Sequence, residues 1–251
     1  MAAAYDTYDY PSYWIGREYE HRSELIAIKA YLDKIAKVKV ILEAGAGFGR
    51  LVPGYVYRAK KTILTDPSAK LLKLAKESLP EDNIQFIQSK IENLPKKIRT
   101  RSIDLIILVR VLHHLEDPED AFEVINKLLK SRGYFILEFA NKCHFKARFS
   151  EFLHGNFTFP LDIFPKDMRS KKNKSAKTLP FLNFHPDIIE KKLKDCGFEI
   201  IEKRSVSNIR SPFLKKFFPV SLFLSLEKHL QKPLSLIDFG PSIFILAQKK
   251  D

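Results

Sequence analysis

Short apolar runs alternate with amphipathic segments along the first half of the chain. Five of these runs are rich in aliphatic residues and bounded by turn residues: 38–42, 62–65, 84–87, 103–109 and 134–139. Runs of this length and composition predict buried β-strands. The run 103–109 is apolar at nearly every position, which indicates a central parallel strand covered on both faces.

Apolar residues recur at helical spacing between these runs. In the segment 23–36, four of them fall on one face: Leu25, Ile28, Leu32 and Ile35. The same reasoning predicts helices from Phe48 to just before residue 60, and over 67–79, 118–130 and 185–196. Repeated β-α-β units of this length require right-handed crossovers. The pattern therefore predicts an α/β fold with a doubly wound, parallel sheet and helices on both faces.

The alternation breaks after the fifth predicted strand. Residues 141–184 hold aromatic residues and prolines without a clear period, so we expect a lid-like insertion with a mobile basic part at 166–177. A strand at 198–202, a second insertion at 205–241 and a last strand at 242–248 follow. We interpret 1–251 as a single domain, with an N-terminal flap and helix (1–37), a core (38–140), the first insertion (141–184) and a C-terminal half (185–251).

Composition and charge narrow the class of protein. The chain has 251 residues, 45% of them hydrophobic, and a formal net charge of +13. The excess of lysine is typical of proteins that bind nucleic acid or an anionic membrane, and it also occurs where lysines only solvate the surface. We favour the solvated surface, so nucleic acid is not an expected partner. Cys143 and Cys196 lack metal-ligand spacing, the start resembles no export signal, and no run approaches the roughly 20 apolar residues of a membrane span. We therefore expect free thiols and a cytoplasmic location.

The segment 40–51 carries the most chemical information. It reads Val-Ile-Leu-Glu-Ala-Gly-Ala-Gly-Phe-Gly-Arg-Leu, an apolar run that ends in Glu43 and continues into three alternate glycines. Glycine lets backbone N–H groups approach a ligand closely and take positive φ. The spacing differs from the G-x-G-x-x-G of dinucleotide sites. The carboxylate of Glu43 would repel a pyrophosphate and attract the ammonium of a methionine moiety. A glycine-rich turn without function is the alternative.

Asp66 follows the second predicted strand and lies 19 residues after Gly47. Its carboxylate could accept hydrogen bonds from both hydroxyls of a ribose, as acids at this distance do in related folds. Asp66 could also be the N-cap of the next helix, with Pro67 at the first helical position. The two roles can coexist, and the placement at a strand end favours the ribose role.

Together these motifs resemble those of the class I S-adenosylmethionine-dependent methyltransferases, in particular the small-molecule and quinone-type subgroup. The resemblance spans 38–139 and includes Glu-Asn-Leu-Pro at 92–95, Ser-Ile-Asp-Leu-Ile-Ile at 102–107, Val-Leu-His-His-Leu at 111–115 and the segment 128–134. It implies S-adenosylmethionine as the cofactor. It also implies a Rossmann-like, seven-stranded and mostly parallel sheet, in which the last strand runs antiparallel beside the fifth.

The resemblance further implies the cofactor contacts, which we assign to Arg17, Glu43, Ala44, Gly45, Gly47, Asp66, Lys90, Ile91 and Val109. Family members often carry an acid at the position of Lys90, where it accepts a bond from the adenine amine. Lysine cannot accept that bond, so backbone groups near Lys90 and Ile91, or Glu92, would contact adenine. Arg17 would pair with the methionine carboxylate, and an aromatic ring of the N-terminal segment would cover the sulfonium. The alternative is a surface flap that packs Trp14 on the sheet edge.

His113 and His114 are the candidate catalytic residues. Adjacent side chains point in different directions and no Cys or carboxylate cluster accompanies them, so we expect no metal. Either histidine could act as a general base if the acceptor must lose a proton, and Glu138 and His144 are further titratable candidates. The Asn/Asp-Pro-Pro-aromatic tetrad of enzymes that methylate amide or adenine nitrogens is absent at 109–112, which argues against those acceptors.

We therefore expect methyl transfer by in-line displacement to a small or lipophilic metabolite. The apolar segment 211–230 is flanked by lysines and could touch a membrane surface, although helices packed over the sheet edge are the favoured interpretation. A nucleotide-cofactor oxidoreductase is disfavoured by the glycine spacing and Glu43. A third possible function, after methyltransferase and oxidoreductase, is a catalytically silent binding module that keeps the fold. Such a module would contact RNA through residues 166–177, or a membrane.

Overall fold

The structure is a computed structural model that describes residues 6, 9–36, 38–79, 82–115, 117–175 and 178–251. Its α-helices in these ranges are α1 (Tyr10–Tyr13), α2 (Glu18–Leu32), α3 (Ala69–Ser78), α4 (Pro118–Leu128), α5 (Phe145–Leu153), α6 (Lys171–Ser175), α7 (Pro186–Asp195), α8 (Pro212–Phe217) and α9 (Val220–Ser235). Its strands are β1 (Val40–Ala44), β2 (Lys61–Asp66), β3 (Ile84–Gln88), β4 (Ile103–Leu108), β5 (Leu129–Ala140), β6 (Lys166–Asp167), β7 (Leu182–Asn183), β8 (Phe198–Val206) and β9 (Ser242–Lys249).

Seven strands form one sheet in the order β3-β2-β1-β4-β5-β9-β8. Strands β1 to β5 pair in parallel, whereas β9 runs antiparallel to both β5 and β8. The predicted Rossmann-like sheet, with its antiparallel last strand beside the fifth, is confirmed. The strand order reverses between β1 and β4, and a crevice forms at such a point beyond the carboxyl ends of the strands.

Helices cover both faces of the sheet, as predicted. On one face, Phe122 and Ile125 of α4 pack with Ile189 of α7. On the other face, Ile28 and Tyr31 of α2 pack in a second apolar cluster. Because β4 is buried between these two layers, five of its six residues are apolar, and Asp104 is the exception.

Local capping fixes where the helices next to the crevice begin. Ser68 is the N-cap of α3, and its hydroxyl accepts the N–H of Leu71 at 3.1 Å. Asp117 caps α4 by accepting the N–H of Glu119 at 2.9 Å, with Pro118 in the first turn. A side-chain acceptor satisfies amide groups that have no partner within the helix.

The helix predicted from Phe48 to residue 60 is wrong. Two 3₁₀ turns, Val52–Gly54 and Val56–Arg58, stand there instead. Pro53 lacks an N–H and Gly54 is a poor helix former, so an α-helix cannot propagate through this pair. Apolar spacing suggested a helix because Leu51, Val52 and Tyr55 do pack into the core.

Several element bounds also differ from the predictions. Helix α2 covers Glu18–Leu32 rather than 23–36, and α4 ends at Leu128 rather than 130. Strand β5 begins at Leu129 and carries an irregularity in its pairing with β4 before Tyr134. Strand β8 extends to Val206, because Lys203 and Arg204 continue to pair with β9. The second insertion therefore begins at residue 207 rather than 205.

The two insertions contain their own elements. The first holds α5, α6 and the two-stranded β6-β7 hairpin. Two residues of the basic part that we expected to be mobile, 176 and 177, lie outside the described ranges. The second insertion holds α8 and α9, and α9 packs against α2 and the edge strand β8. No helix in the described part of the chain has the length and apolarity needed to span a bilayer.

Candidate active site

A cavity of about 860 Å³ lies at the carboxyl ends of β1, β2, β3 and β4. The loop after β1 and Asp66 form one part of its wall, and residues 88–93 after β3 form another. The loop after β4 and Leu179 of the first insertion enclose the remaining side. The cavity therefore occupies the crevice at the reversal of strand order, where open α/β sheets bind ligands.

Glycine is required in the loop after β1. The N–H groups of Gly45 and Ala46 both donate to the carbonyl of Thr65, at 2.7 and 2.9 Å, which ties the loop to β2. Gly45 has φ +76°, and a Cβ at this position would lie 2.2 Å from Cγ2 of Val111. The loop can thus press against the segment after β4 only where no side chain is present.

Asp66 holds the glycine loop with both carboxylate oxygens. Oδ2 accepts the N–H of Gly47 at 2.9 Å, and Oδ1 accepts the N–H of Ser68 at 2.8 Å. Burial raises the pKa of Asp66, and these two backbone bonds oppose the rise. Because Ser68 is the N-cap of α3, the alternative that Asp66 caps this helix is wrong. Each carboxylate oxygen can accept a second hydrogen bond, so ribose hydroxyls can share Asp66 with the loop.

Glu43 is a buried carboxyl at the start of the loop. It accepts a hydrogen bond from the hydroxyl of Tyr55, and it borders the cavity. Burial raises the pKa of Glu43 to about 7, although the Tyr55 bond and Arg50 oppose the rise. A carboxyl without a cationic partner in direct contact is costly to bury. The site is therefore suited to an ammonium group, which would favour the ionised form.

The N-terminal segment closes over the glycine loop. Tyr10 lines the cavity, and a Cβ on Gly47 would lie 3.6 Å from the Tyr10 ring. The guanidinium of Arg50 stacks on Trp14, with 3.5 Å between Cζ and the ring centroid. Arg17 instead lies over Tyr13 at 4.1 Å and is absent from the cavity wall. Trp14 therefore packs on the arginine that follows the glycine loop.

A buried carboxylate joins two cationic side chains beside the cavity. Glu24 of α2 pairs with Arg50 at 2.5 Å and with Arg110 at 2.8 Å, and its own side chain is fully buried. Burial acts to raise the pKa of Glu24, but the two guanidinium groups outweigh it and lower the pKa. Glu24 can balance only one of the two guanidinium charges, and both arginines border the cavity.

Arg110 is held in a strained backbone conformation. Its φ is +63°, and its N–H donates to the Glu138 carboxylate at 2.8 Å. Such conformations cost about 1–3 kcal/mol and cluster at binding and catalytic sites. Glu138 also accepts the hydroxyl hydrogen of Ser242, so it positions the loop after β4. The other titratable candidate, His144, caps α5, and burial lowers its pKa to about 4.

The two adjacent histidines lie under the first insertion. His113 is buried, its ring lies tilted against Phe181 with 4.5 Å between the centroids, and burial lowers its pKa. His114 lines the cavity, and its Nδ1 contacts the carbonyl of Pro180 at 2.9 Å. A carbonyl accepts only from a protonated nitrogen, which assigns the proton of neutral His114 to Nδ1 and the lone pair to Nε2. Burial lowers the pKa of His114, so this neutral form prevails near pH 7.

Comparison with known proteins identifies this site. A family model described as "Methyltransferase domain" matches residues 42–137. The tRNA 5-carboxymethoxyuridine methyltransferase of Escherichia coli K12 is 25% identical over 217 residues, which cover 83% of this chain and 79% of the relative. The demethylmenaquinone methyltransferase of Chlamydia caviae is 29% identical, over 70% of this chain and 77% of the relative. An S-adenosylmethionine-dependent methyltransferase from Mesorhizobium loti has the same fold, with a TM-score of 0.59, 17% identity, and coverage of 90% of this chain and 98% of that one.

The chain is an S-adenosylmethionine-dependent methyltransferase with a Rossmann-like fold. The matched region contains the glycine loop, Asp66 and the two histidines. Its cofactor is S-adenosylmethionine, and the residues of the cavity fit that molecule. The glycine loop leaves room for a ligand against the backbone, Glu43 is a buried carboxyl suited to an ammonium, and Asp66 keeps acceptor capacity. The prediction of the fold, the enzyme class and the cofactor is confirmed.

The cavity of the methyltransferase brings together most of the residues assigned from sequence. Eight of them line it: Glu43, Gly45, Gly47, Asp66, Lys90, Ile91, Val109 and His114. Arg17, Ala44 and His113 do not border the cavity. Sequence reasoning missed Tyr10, Arg50, Arg110 and Leu179, which do. Arg50 directly follows the third glycine and Arg110 lies two residues after β4, and these positions were a signal for both arginines.

Proposed function

We propose that this methyltransferase methylates a small lipophilic acceptor that lies between the cofactor and the first insertion. The observation that carries the proposal is the composition of the cavity on the side opposite Asp66. Val111, Leu115 and Leu179 line it there, and His114 is the titratable side chain among them. An acceptor in this place meets apolar side chains and one proton acceptor, which is typical of sites for small apolar ligands.

The cofactor contacts follow from the charges around the cavity. Glu43 binds the ammonium of the methionine moiety, and Arg50 and Arg110 bind its carboxylate, because Glu24 neutralises only one of these two cations. In this assignment the two arginines take the role that the sequence suggested for Arg17. Asp66 accepts hydrogen bonds from the ribose hydroxyls.

At the adenine end, Lys90 lies beside Ile91, Glu92 and Asn93, and all four line the cavity. Glu92 accepts the hydrogen bond of the adenine amine, because Lys90 has no acceptor atom. Ile91, which is buried, packs against the adenine ring.

The sulfonium of the cofactor supplies an electrophilic methyl group and a thioether leaving group. The acceptor atom forms a bond to the methyl carbon as the carbon–sulfur bond breaks, and sulfur keeps the electron pair. His114 takes the proton from a hydroxyl acceptor at Nε2, since its proton lies on Nδ1 against Pro180. The apolar side chains hold the acceptor in line with the methyl group. Such positioning supplies about 7–11 kcal/mol of the barrier in well-oriented systems.

The test of the cofactor site is calorimetry with S-adenosylmethionine and with NAD. We expect binding of S-adenosylmethionine, no binding of NAD, and a loss of about 10²- to 10⁴-fold in affinity for Asp66→Ala, since two hydrogen bonds to a charged acceptor are lost. The matched control is Asp82→Ala, which changes an acid outside the cavity wall. Equal affinity of wild type and Asp66→Ala would refute the ribose assignment.

The test of the acceptor is a screen with isotopically labelled cofactor, read by mass spectrometry of the products. We expect methylated products from phenolic or quinone-like lipophilic compounds, the acceptor class that the name of the Chlamydia caviae relative indicates. His114→Gln lowers kcat about 10²- to 10⁴-fold, the usual contribution of a general base. It leaves cofactor affinity unchanged. Equal kcat in wild type and His114→Gln would show that no base is used.

A transfer RNA is the second candidate acceptor. The Escherichia coli relative is named for a modified uridine in tRNA, and this chain has a net charge of +13. Cationic surfaces bind RNA with an affinity that falls steeply with salt. Methylated nucleosides in digests of treated tRNA, together with no methylation of lipophilic compounds, would favour this acceptor over the first.

A lipophilic acceptor places the methyltransferase at a membrane surface as a peripheral protein of the cytoplasm. This location is part of the proposal and rests on the acceptor class. Association with the membrane fraction of disrupted cells, released by alkaline carbonate, is the expected behaviour.

A further inference from the structure

One surface of the first insertion exposes an unusual density of apolar side chains. Helix α5 presents Phe145, Phe149, Phe152 and Leu153 to solvent, each between 49% and 67% exposed. Their spacing of four, three and one residues places them on one face of the helix. No residue of α5 is buried. Although Phe145 stacks on Phe239, the described part of the chain leaves about half or more of each of these four side chains exposed.

The segment after α5 extends this surface. Phe157, Leu161, Ile163 and Phe164 are between 47% and 78% exposed. Ring contacts connect the two parts, since Phe152 meets Phe157 edge-on at 5.2 Å between centroids. We refer to the eight side chains of 145–164 named here as the apolar face. A patch of this kind on a protein surface marks an interaction site.

Buried polar side chains hold the apolar face in place. The buried ammonium of Lys142 donates to the carbonyl oxygens of Asp162 and Phe164, at 2.6 and 2.7 Å, and pairs with the Asp162 carboxylate at 2.7 Å. The buried ring of His185 contacts the carbonyl of Pro160 at 2.9 Å. Phe159 is directed inward and is buried. The segment is thus anchored from beneath while its other large side chains point to solvent.

The charge around the apolar face indicates what kind of partner it binds. Residues 145–175 contain seven cationic side chains and three carboxylates, a net charge of +4. Lys146 lies on α5 itself, and Lys166, Lys172 and Lys174 follow the apolar face; all four are exposed. An aromatic surface flanked by lysines matches the interface of an anionic bilayer, where apolar rings enter the acyl boundary and ammonium groups meet the headgroups.

We propose that the apolar face docks the methyltransferase on an anionic lipid bilayer. The same insertion reaches the active site, because Leu179 lines the cavity and Phe181 packs on His113. The proposed docking surface and part of the acceptor side of the cavity therefore belong to the same insertion. The delivery of a membrane-dissolved acceptor rests on the proposed function, whereas the docking itself does not.

Vesicle flotation tests the docking. We expect the full chain to float with vesicles of phosphatidylcholine and phosphatidylglycerol, and to bind vesicles of phosphatidylcholine alone more weakly. Phe149→Gln and Phe164→Gln each lower the partition coefficient about tenfold, the effect of withdrawing one phenylalanine from an apolar phase. Lys146→Gln lowers it about fivefold on anionic vesicles only. The matched control is Tyr57→Gln, an exposed aromatic residue outside the insertion, which leaves binding unchanged.

Thermal unfolding midpoints equal to wild type will show that these surface variants fold. Absence of binding to anionic vesicles, or equal binding by wild type and both phenylalanine variants, overturns the docking proposal. A dimer in sedimentation velocity that Phe149→Gln dissociates would assign the apolar face to a second copy of the chain. Binding of tRNA that the same variants abolish would assign it to RNA. Either result also overturns the proposal. Vesicle binding without methylation of any lipophilic compound would refute the proposed acceptor alone.

Discussion

The close approach of the glycine loop to the segment after β4 gives a prediction with an internal control. Gly45 and Gly16 have nearly the same φ, +76° and +75°. A Cβ on Gly45 would lie 2.2 Å from Val111, whereas a Cβ on Gly16 would have no atom within 4 Å. Alanine at either position therefore carries the strain of a positive φ, and only at Gly45 does it add a steric conflict.

The magnitudes follow from these two terms. A left-handed conformation costs an alanine about 1–2 kcal/mol, so Gly16→Ala lowers the free energy of unfolding by that amount. Overpacking against Val111 adds about 1–3 kcal/mol, so Gly45→Ala lowers it by about 2–5 kcal/mol. Val111→Ala removes the conflicting methyl group. In the Gly45→Ala background, Val111→Ala therefore recovers the stability lost to the steric conflict but not the stability lost to backbone strain. The two substitutions should show a favourable coupling energy of about 1–3 kcal/mol.

Urea unfolding of the wild type, the three single variants and the double variant measures all of these terms. A loss for Gly45→Ala no larger than that for Gly16→Ala would refute the reasoning. So would a coupling energy near zero between positions 45 and 111, because the two side chains would then not compete for the same space.

Three further predictions concern the buried carboxyl groups Glu43 and Glu24. The pKa of Glu43 is about 7 in the folded chain, so folding takes up a proton between pH 4.5 and 7, and stability falls as the pH rises through this window. Glu43→Gln has no such titration, so its stability does not fall over this window. The difference in free energy of unfolding between Glu43→Gln and wild type therefore shifts in favour of the variant by up to about 3 kcal/mol from pH 5 to pH 7.5. Urea unfolding measures this difference, and a value that does not change with pH would contradict the prediction. S-adenosylmethionine affinity of wild type rises over the same window, and in Glu43→Gln calorimetry shows no such rise. Glu24→Gln leaves two guanidinium groups without their anion and lowers the free energy of unfolding by about 3–5 kcal/mol. The control is Glu18→Gln at an exposed ion pair with Arg22, which lowers it by less than about 0.5 kcal/mol. Equal losses for the two variants would contradict the role of Glu24 as a buried partner of both arginines.

The sheet and the cofactor loop were predictable because their determinants are local. A parallel strand buried on both faces requires a continuous apolar run, and 103–109 is such a run. The glycines and Asp66 were predictable because the glycines follow β1 and Asp66 ends β2, and parallel strands align their carboxyl ends. The register confirms this alignment, since Glu43 of β1 pairs with Leu64 of β2 and Ile107 of β4.

The error at 48–60 arose because two signals in the same segment disagree. Apolar spacing suggested a helix, whereas the pair Pro53 and Gly54 opposes one. Burial of Leu51, Val52 and Tyr55 is satisfied by two 3₁₀ turns as well as by a helix. Strand β8 was underestimated for a related reason. Lys203 and Arg204 have no strand-like pattern, and their pairing with β9 is decided by hydrogen bonds to a distant segment.

The sequence alone determined the class of fold, the position of the cofactor loop and the carboxylates beside it, because each depends on residues within one β-α unit. The tertiary structure alone decided which cations face the cavity. Glu24 and Arg110 are 86 residues apart, and their contact at 2.9 Å depends on α2 packing against the carboxyl end of β4. Nothing in the local pattern of either segment specifies that partner, because a buried ion pair is selected by the folded arrangement that removes both charges from water together.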